Sequence, residues 1–151
     1  MRPIPIGISH TVEIVVAERF TVPGLLPEIP SWAGMPRVLA TAMLVAIMEW
    51  AALETILPYL AEDEHSLGVR VDMTHTAPTA SGIPVRAVAR VVAVDETGVE
   101  FEIVASDATG VVGAARHRRT IVSGARFARR VAAGREAFLR AGPAGIHGDV
   151  S

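Results

Sequence analysis

A chain of 151 residues, 50% hydrophobic and 20% charged, is long enough to bury one core and too apolar to remain unfolded. A formal charge of -2 gives no overall attraction to nucleic acid, and the absence of cysteine excludes disulfides, thiolate metal sites and a cysteine nucleophile. All fourteen basic side chains are arginine, which also excludes a Schiff-base or P-loop lysine.

The opening MRPIPIGISH holds Pro3 and Pro5 and no apolar stretch of signal-peptide length, so a cytoplasmic location is expected. The longest apolar run, residues 42–48, stops at Glu49, well short of the roughly 20 residues of a membrane span, and no membrane partner is expected. Residues 10–16, HTVEIVV, are rich in β-branched side chains and predict a first strand. Residues 23–36, PGLLPEIPSWAGMP, carry four prolines and two glycines; they predict a loop whose Leu25, Leu26, Trp32 and Met35 would form a lid, a pocket wall or a segment tucked onto the core.

Residues 37–57 are helix formers bounded by Pro36 and Pro58, and two neighbouring stripes are apolar apart from Glu49, which predicts an interior helix. A buried, unpaired carboxylate costs several kcal/mol or keeps its proton, so Glu49 is a solvent-edge group, a paired core acid or a working group. Four further strands are predicted at residues 67–77, 84–94, 99–106 and 111–122, joined by the short turns PTASG, DETG and SDATG. A strand, one long helix and four antiparallel strands pack simply when the sheet wraps the helix, an α+β hotdog architecture in a single domain over residues 1–140. The basic segment GARFARRVAAGREAFLR is expected to turn helical from about Ala125, packing across the outside of the sheet or binding a partner, with residues 141–151 as a disordered tail.

In GVRVDMTHTA, period-two alternation sets Val69, Val71, Met73, His75 and Ala77 on one face and Arg70, Asp72, Thr74 and Thr76 on the other. His75 therefore points with the apolar residues, either as a hydrogen-bonded core histidine or, beside Glu49, as half of a proton-transfer pair. Thr41, near the helix start, either bonds back to a carbonyl one turn earlier or joins that site. Eight helical residues separate Thr41 from Glu49, about 12 Å along the axis, so the two cannot touch within one straight helix. A substrate spanning the gap, an irregular first turn or a second subunit would resolve this; a homodimer is expected, because an open sheet has edges to satisfy.

ATAMLVAIMEWA, SLGVRVDMTHTA and GAARHRRTIV, in that order and spacing, resemble the fluoroacetyl-CoA thioesterase group of hotdog proteins, from about Trp32 to Phe127. The resemblance implies an acyl-CoA thioesterase without cofactor or metal. Thr41, Glu49 and His75 stand at the family's catalytic positions, with Gly68 where a backbone N–H faces the thioester carbonyl. Glu49 would be general base or nucleophile and His75 would protonate the departing thiolate. Arg119, sharing a strand face with His117 opposite Arg116 and Arg118, is a candidate for the phosphate or pantetheine arm of coenzyme A, with a solvated strand end as the alternative. At the lid positions, where fluoroacetyl selectivity goes with aromatic side chains, this chain has Trp32 and the more flexible Met35, so short or medium acyl-CoA is expected without that selectivity. Hotdog folds also carry dehydratases and isomerases, and a non-hydrolytic acyl-CoA or acyl-carrier binding module is a further alternative.

Overall fold

The computed structural model describes residues 2–141. Five strands form one antiparallel sheet: β1 (Ser9–Val15), β2 (Glu64–His75), β3 (Pro84–Asp95), β4 (Gly98–Asp107) and β5 (Gly110–Ser123), in the order β1-β3-β4-β5-β2. The sheet curves around one long helix, so the expected hotdog arrangement is the one observed. Both turns flanking β4 use the same chemistry: Asp95 Oδ1 accepts from Thr97 N at 2.8 Å and Asp107 Oδ1 from Thr109 N at 2.8 Å, closing the DETG and DATG turns.

A one-turn helix, α1 (Val22–Leu25), lies in the proline-rich segment, and the central helix is α2 (Thr41–Ile56), continued as a 3-10 turn through Tyr59. The helix begins at Thr41 and not at residue 37, because the preceding backbone is already hydrogen-bonded to neighbouring segments. Leu39 N donates to Thr79 O at 2.8 Å, Ala40 N to Phe20 O at 2.9 Å, and Val38 O accepts from Val22 N at 2.9 Å. Ala40 then caps the helix without a side-chain bond, and the N–H groups of Thr41 and Ala42 have no hydrogen-bond partner among the described residues.

Leu44, Ile47, Met48, Ala51, Ala52 and Ile56 of α2 are buried against Val85, Ala87, Ala89 and Val91 of β3 and Phe101, Ile103 and Ala105 of β4. Phe101 is fully buried, and truncating such a side chain to alanine costs about 3–5 kcal/mol. The expectation of a helix dry over most of its circumference is corrected: Thr41, Ala42, Ala46 and Trp50 are exposed, Trp50 by 43%, and Leu57 beyond them by 49%.

Two further corrections concern β2 and the C-terminal segment. A β-bulge falls between Gly68, opposite Arg119, and Arg70, opposite Arg118; Val69 is the unpaired extra residue and is 57% exposed, not on the inner face. The last helix, α3 (Gly124–Ala141), does not lie across the sheet: Gly124 N donates to Asp63 O at 2.6 Å, and from Ala125 onward its residues are exposed. Ala141 closes α3, so the disorder expected from residue 141 does not begin there, and residues 142–151 lie outside the described ones.

Candidate active site

Two polar clusters sit on the concave side of the sheet, one at the start of α2 and the other at its middle. At the helix start, Thr41 Oγ1 lies 3.0 Å from His75 Nδ1 at the end of β2. His75 Nε2 is buried and has no hydrogen-bond partner among the described residues. Whichever of the two atoms donates, the far nitrogen is left open for a substrate or partner group. Val22, Val38, Leu39 and Pro78 rim a depression around this pair.

Two turns along the helix, Glu49 meets β2 and β5. Its Oε1 is 3.6 Å from His117 Nε2 and 3.9 Å from an Arg119 guanidinium nitrogen, while the carboxylate stays 41% exposed. Gly68 makes room for it: an added Cβ would run into Glu49 Oε1 and stand 3.0 Å from His117 Cε1. The carboxylate is therefore held from one side by a buried cation and open to an incoming group on the other.

His117 is 1% exposed and Arg119 5%. His117 Nδ1 is 2.8 Å from the Arg70 carbonyl, an acceptor only, so Nδ1 carries the proton and donates. Arg119 then donates to His117 Nε2 at 3.1 Å, which requires a neutral ring. Burial lowers the His117 pKa first; the Arg70 carbonyl opposes this, Arg119 adds to it, and Glu49 opposes it. In this tautomer Nε2 has no proton to give Glu49, so their 3.6 Å approach is not an ion pair. Arg119 is fixed by Ser66, whose Oγ and carbonyl accept from it at 2.9 Å each, and it also donates to the Glu49 carbonyl at 3.4 Å. Burial lowers its pKa and Glu49 raises it, leaving the guanidinium cationic.

The sequence reading set a histidine beside Glu49, and in one chain that histidine is His117, not His75. Thr41 and His75 are brought together; Glu49 joins Gly68, His117 and Arg119. For Arg119, suggested as a contact to the phosphate or pantetheine arm of coenzyme A, the structure shows a buried guanidinium whose donors turn inward to Ser66, His117 and the Glu49 carbonyl. The solvated strand-end alternative fits only Arg116 and Arg118, which pair with Glu102 and with Asp95 and Glu100 on the outer face. Trp32, in a 3-10 turn, is half-buried, and Met35 is 48% exposed on the segment leading to α2. Ser66 was missed; its buried position on the face of Gly68 and Arg119 depends on the bulge, which period-two alternation does not reveal.

Comparison with known proteins places this chain among thioesterases. The fluoroacetyl-CoA-specific thioesterase family matches residues 28–125. The fluoroacetyl-CoA thioesterase of Streptantibioticus cattleyicolor is 34% identical over 126 residues, covering 83% of this chain and 91% of the relative. A point mutant of a fluoroacetyl-CoA-specific thioesterase solved with fluoroacetate and CoA superposes with a TM-score of 0.79 at 34% identity, over 82% of this chain and 98% of that one. A Thermus thermophilus thioesterase superfamily member superposes at 0.80 with 32% identity, over 91% and 100%.

Proposed function

The chain belongs to the fluoroacetyl-CoA-specific thioesterase family and is a thioester hydrolase; on that premise we propose that it cleaves short or medium acyl-CoA esters without fluoroacetyl selectivity. The observation that carries the reading is the Glu49 carboxylate, seated against buried Arg119 in space that a side chain at position 68 would fill. Glu49 either takes a proton from water, which adds to the thioester carbonyl, or attacks that carbonyl directly and is freed by water. The carbonyl oxygen, becoming an oxyanion, is met by Gly68 N–H, by the free N–H groups at the start of α2 and by the Thr41 hydroxyl. His75 delivers the proton to the leaving thiolate as the carbon–sulfur bond breaks.

In one chain the Thr41–His75 pair and Glu49 lie too far apart for a single thioester, about 12 Å by helix rise. The proposed solution is a homodimer in which two β2 edges pair antiparallel. In the register that sets Gly68 of one strand opposite His75 of the other, residues 68–75 of the two strands overlap. Each site would take Glu49 and Gly68 from one protomer and Thr41 and His75 from its partner. The acyl range follows from the lid, because Met35 yields to longer chains more readily than an aromatic ring.

The test is release of free thiol from a panel of acyl-CoA esters, from acetyl and fluoroacetyl to longer chains, by the wild type and Glu49→Gln. Release across several chain lengths without preference for fluoroacetyl, lost in the variant, is the expected result. Full turnover by Glu49→Gln would sink the role of Glu49, and strong fluoroacetyl preference would sink the selectivity. Saturable binding without thiol release would indicate a sequestering module.

A further inference from the structure

One strongly patterned element has no place in this mechanism. Helix α3 carries five of the fourteen arginines and a single glutamate, leaving nine arginines against fifteen acidic side chains in the rest of the chain. Phe127, Val131 and Phe138 fall along one side of it and are exposed by 38%, 55% and 58%, an apolar ridge that nothing among the described residues covers.

The position of α3 selects what covers it. Ser123 is paired with Glu64 and Gly124 is hydrogen-bonded to Asp63, so the helix leaves the fold at the start of β2, one of the two edge strands of the sheet. In the register that sets Gly68 opposite His75, Glu64 of one protomer lies four residues, about 13 Å, along the strand from its partner's His75. The first turn of α3 is then about two strand spacings, ~10 Å, across the sheet and about 13 Å along it from the partner's end of β2, within reach of a helix about 27 Å long. The depression around Thr41 and His75, rimmed by Val22, Val38, Leu39 and Pro78, lies at that end. A basic arm and an acidic body also attract one another.

We propose that α3 is an arm that docks on a second copy of the chain, its Phe127–Val131–Phe138 ridge covering the depression around that copy's Thr41 and His75 and walling the acyl-CoA site. The inference rests on the dimer of the proposed function. The absence of native cysteine allows a direct test. Full-length Phe127→Cys and Pro78→Cys, one of them tagged, are mixed to exchange subunits and treated with a short bis-maleimide, and the mass of each variant in solution is measured in parallel.

A mixed cross-linked product between dimeric variants is expected. Dimers without that product overturn the arm while leaving the dimer intact; active monomers that never cross-link overturn the dimer and the arm with it. A third readout adds vesicles of phosphatidylcholine with and without phosphatidylglycerol. Sedimentation with the anionic vesicles that Phe127→Asp abolishes, with the dimer unchanged, would overturn the proposal in favour of a lipid surface.

Discussion

Gly68 and Glu49 meet across the gap between β2 and α2 so closely that no side chain fits between them. The obstacle to a Cβ is the far end of a flexible carboxylate, which can swing toward solvent because it is already 41% exposed. Gly68→Ala is therefore expected to unfold within about 1 kcal/mol of the wild type, as substitutions away from rigid core contacts do, yet to lose thiol release by roughly tenfold or more. Denaturant melts beside acyl-CoA kinetics check this. A fully active variant would show that the carboxylate does not need the space, and an unfolded one that the carboxylate cannot swing clear of a Cβ.

His117 gives a pH dependence of defined sign. Its pKa is lower folded than unfolded, so between the two values the unfolded chain binds more protons, and stability rises with pH there. Stability is expected to fall as pH drops below about 6.5, the unfolded value, and to level off once pH passes the folded value. His117→Asn loses this component. Titrating the denaturant midpoint of both proteins between pH 7 and 5 tests it; parallel curves would mean the ring is not held neutral.

Arg119 and Ser66 separate holding from merely filling. Ser66→Ala removes one acceptor from Arg119 Nε and is expected to cost about 1 kcal/mol. Arg119→Met strips donors from the Ser66 carbonyl, His117 Nε2 and the Glu49 carbonyl and removes the cation beside the Glu49 carboxylate, with an expected cost of about 2–4 kcal/mol and a fall in kcat much larger than any rise in KM. Equal effects of the two variants on kcat would remove Arg119 from the support of Glu49.

Subunit mixing tests the shared site. Thr41→Ala and Glu49→Gln are each expected to be inactive, but a heterodimer places both lesions in one site and leaves the other whole. Random reassortment should restore about a quarter of wild-type activity, as half the dimers are mixed and each has one intact site. No recovery after verified exchange would put the site within a single chain.

The strands were legible because period-two alternation is strong in them, and the hairpins because Asp, Thr and Gly recur at the turns. The start of α2 was not, since the helix formers at residues 37–40 are claimed by backbone bonds to Phe20, Thr79 and Val22 that depend on folding. Thr41, Glu49 and His75 stood out as polar breaks in apolar patterns, whereas Gly68 and the roles of all four came only from the family resemblance. Which histidine faces Glu49 could not be read, because that depends on how far β5 reaches across the helix. His117 and Arg119 were placed on the correct face, but nothing in a strand pattern tells a buried guanidinium from one at a solvated end.

The bulge at Val69 acts as a change of phase within β2. Downstream of it the odd-numbered residues, Val71, Met73 and His75, face the helix; upstream the even-numbered Ser66 and Gly68 do. An uninterrupted strand could present either His75 or the Ser66–Gly68 pair to the concave side, never both. One surplus, solvent-facing valine thus reconciles the two ends of the strand. Deleting Val69 would disassemble the site while removing none of its members, a fault that an inventory of active-site side chains would miss.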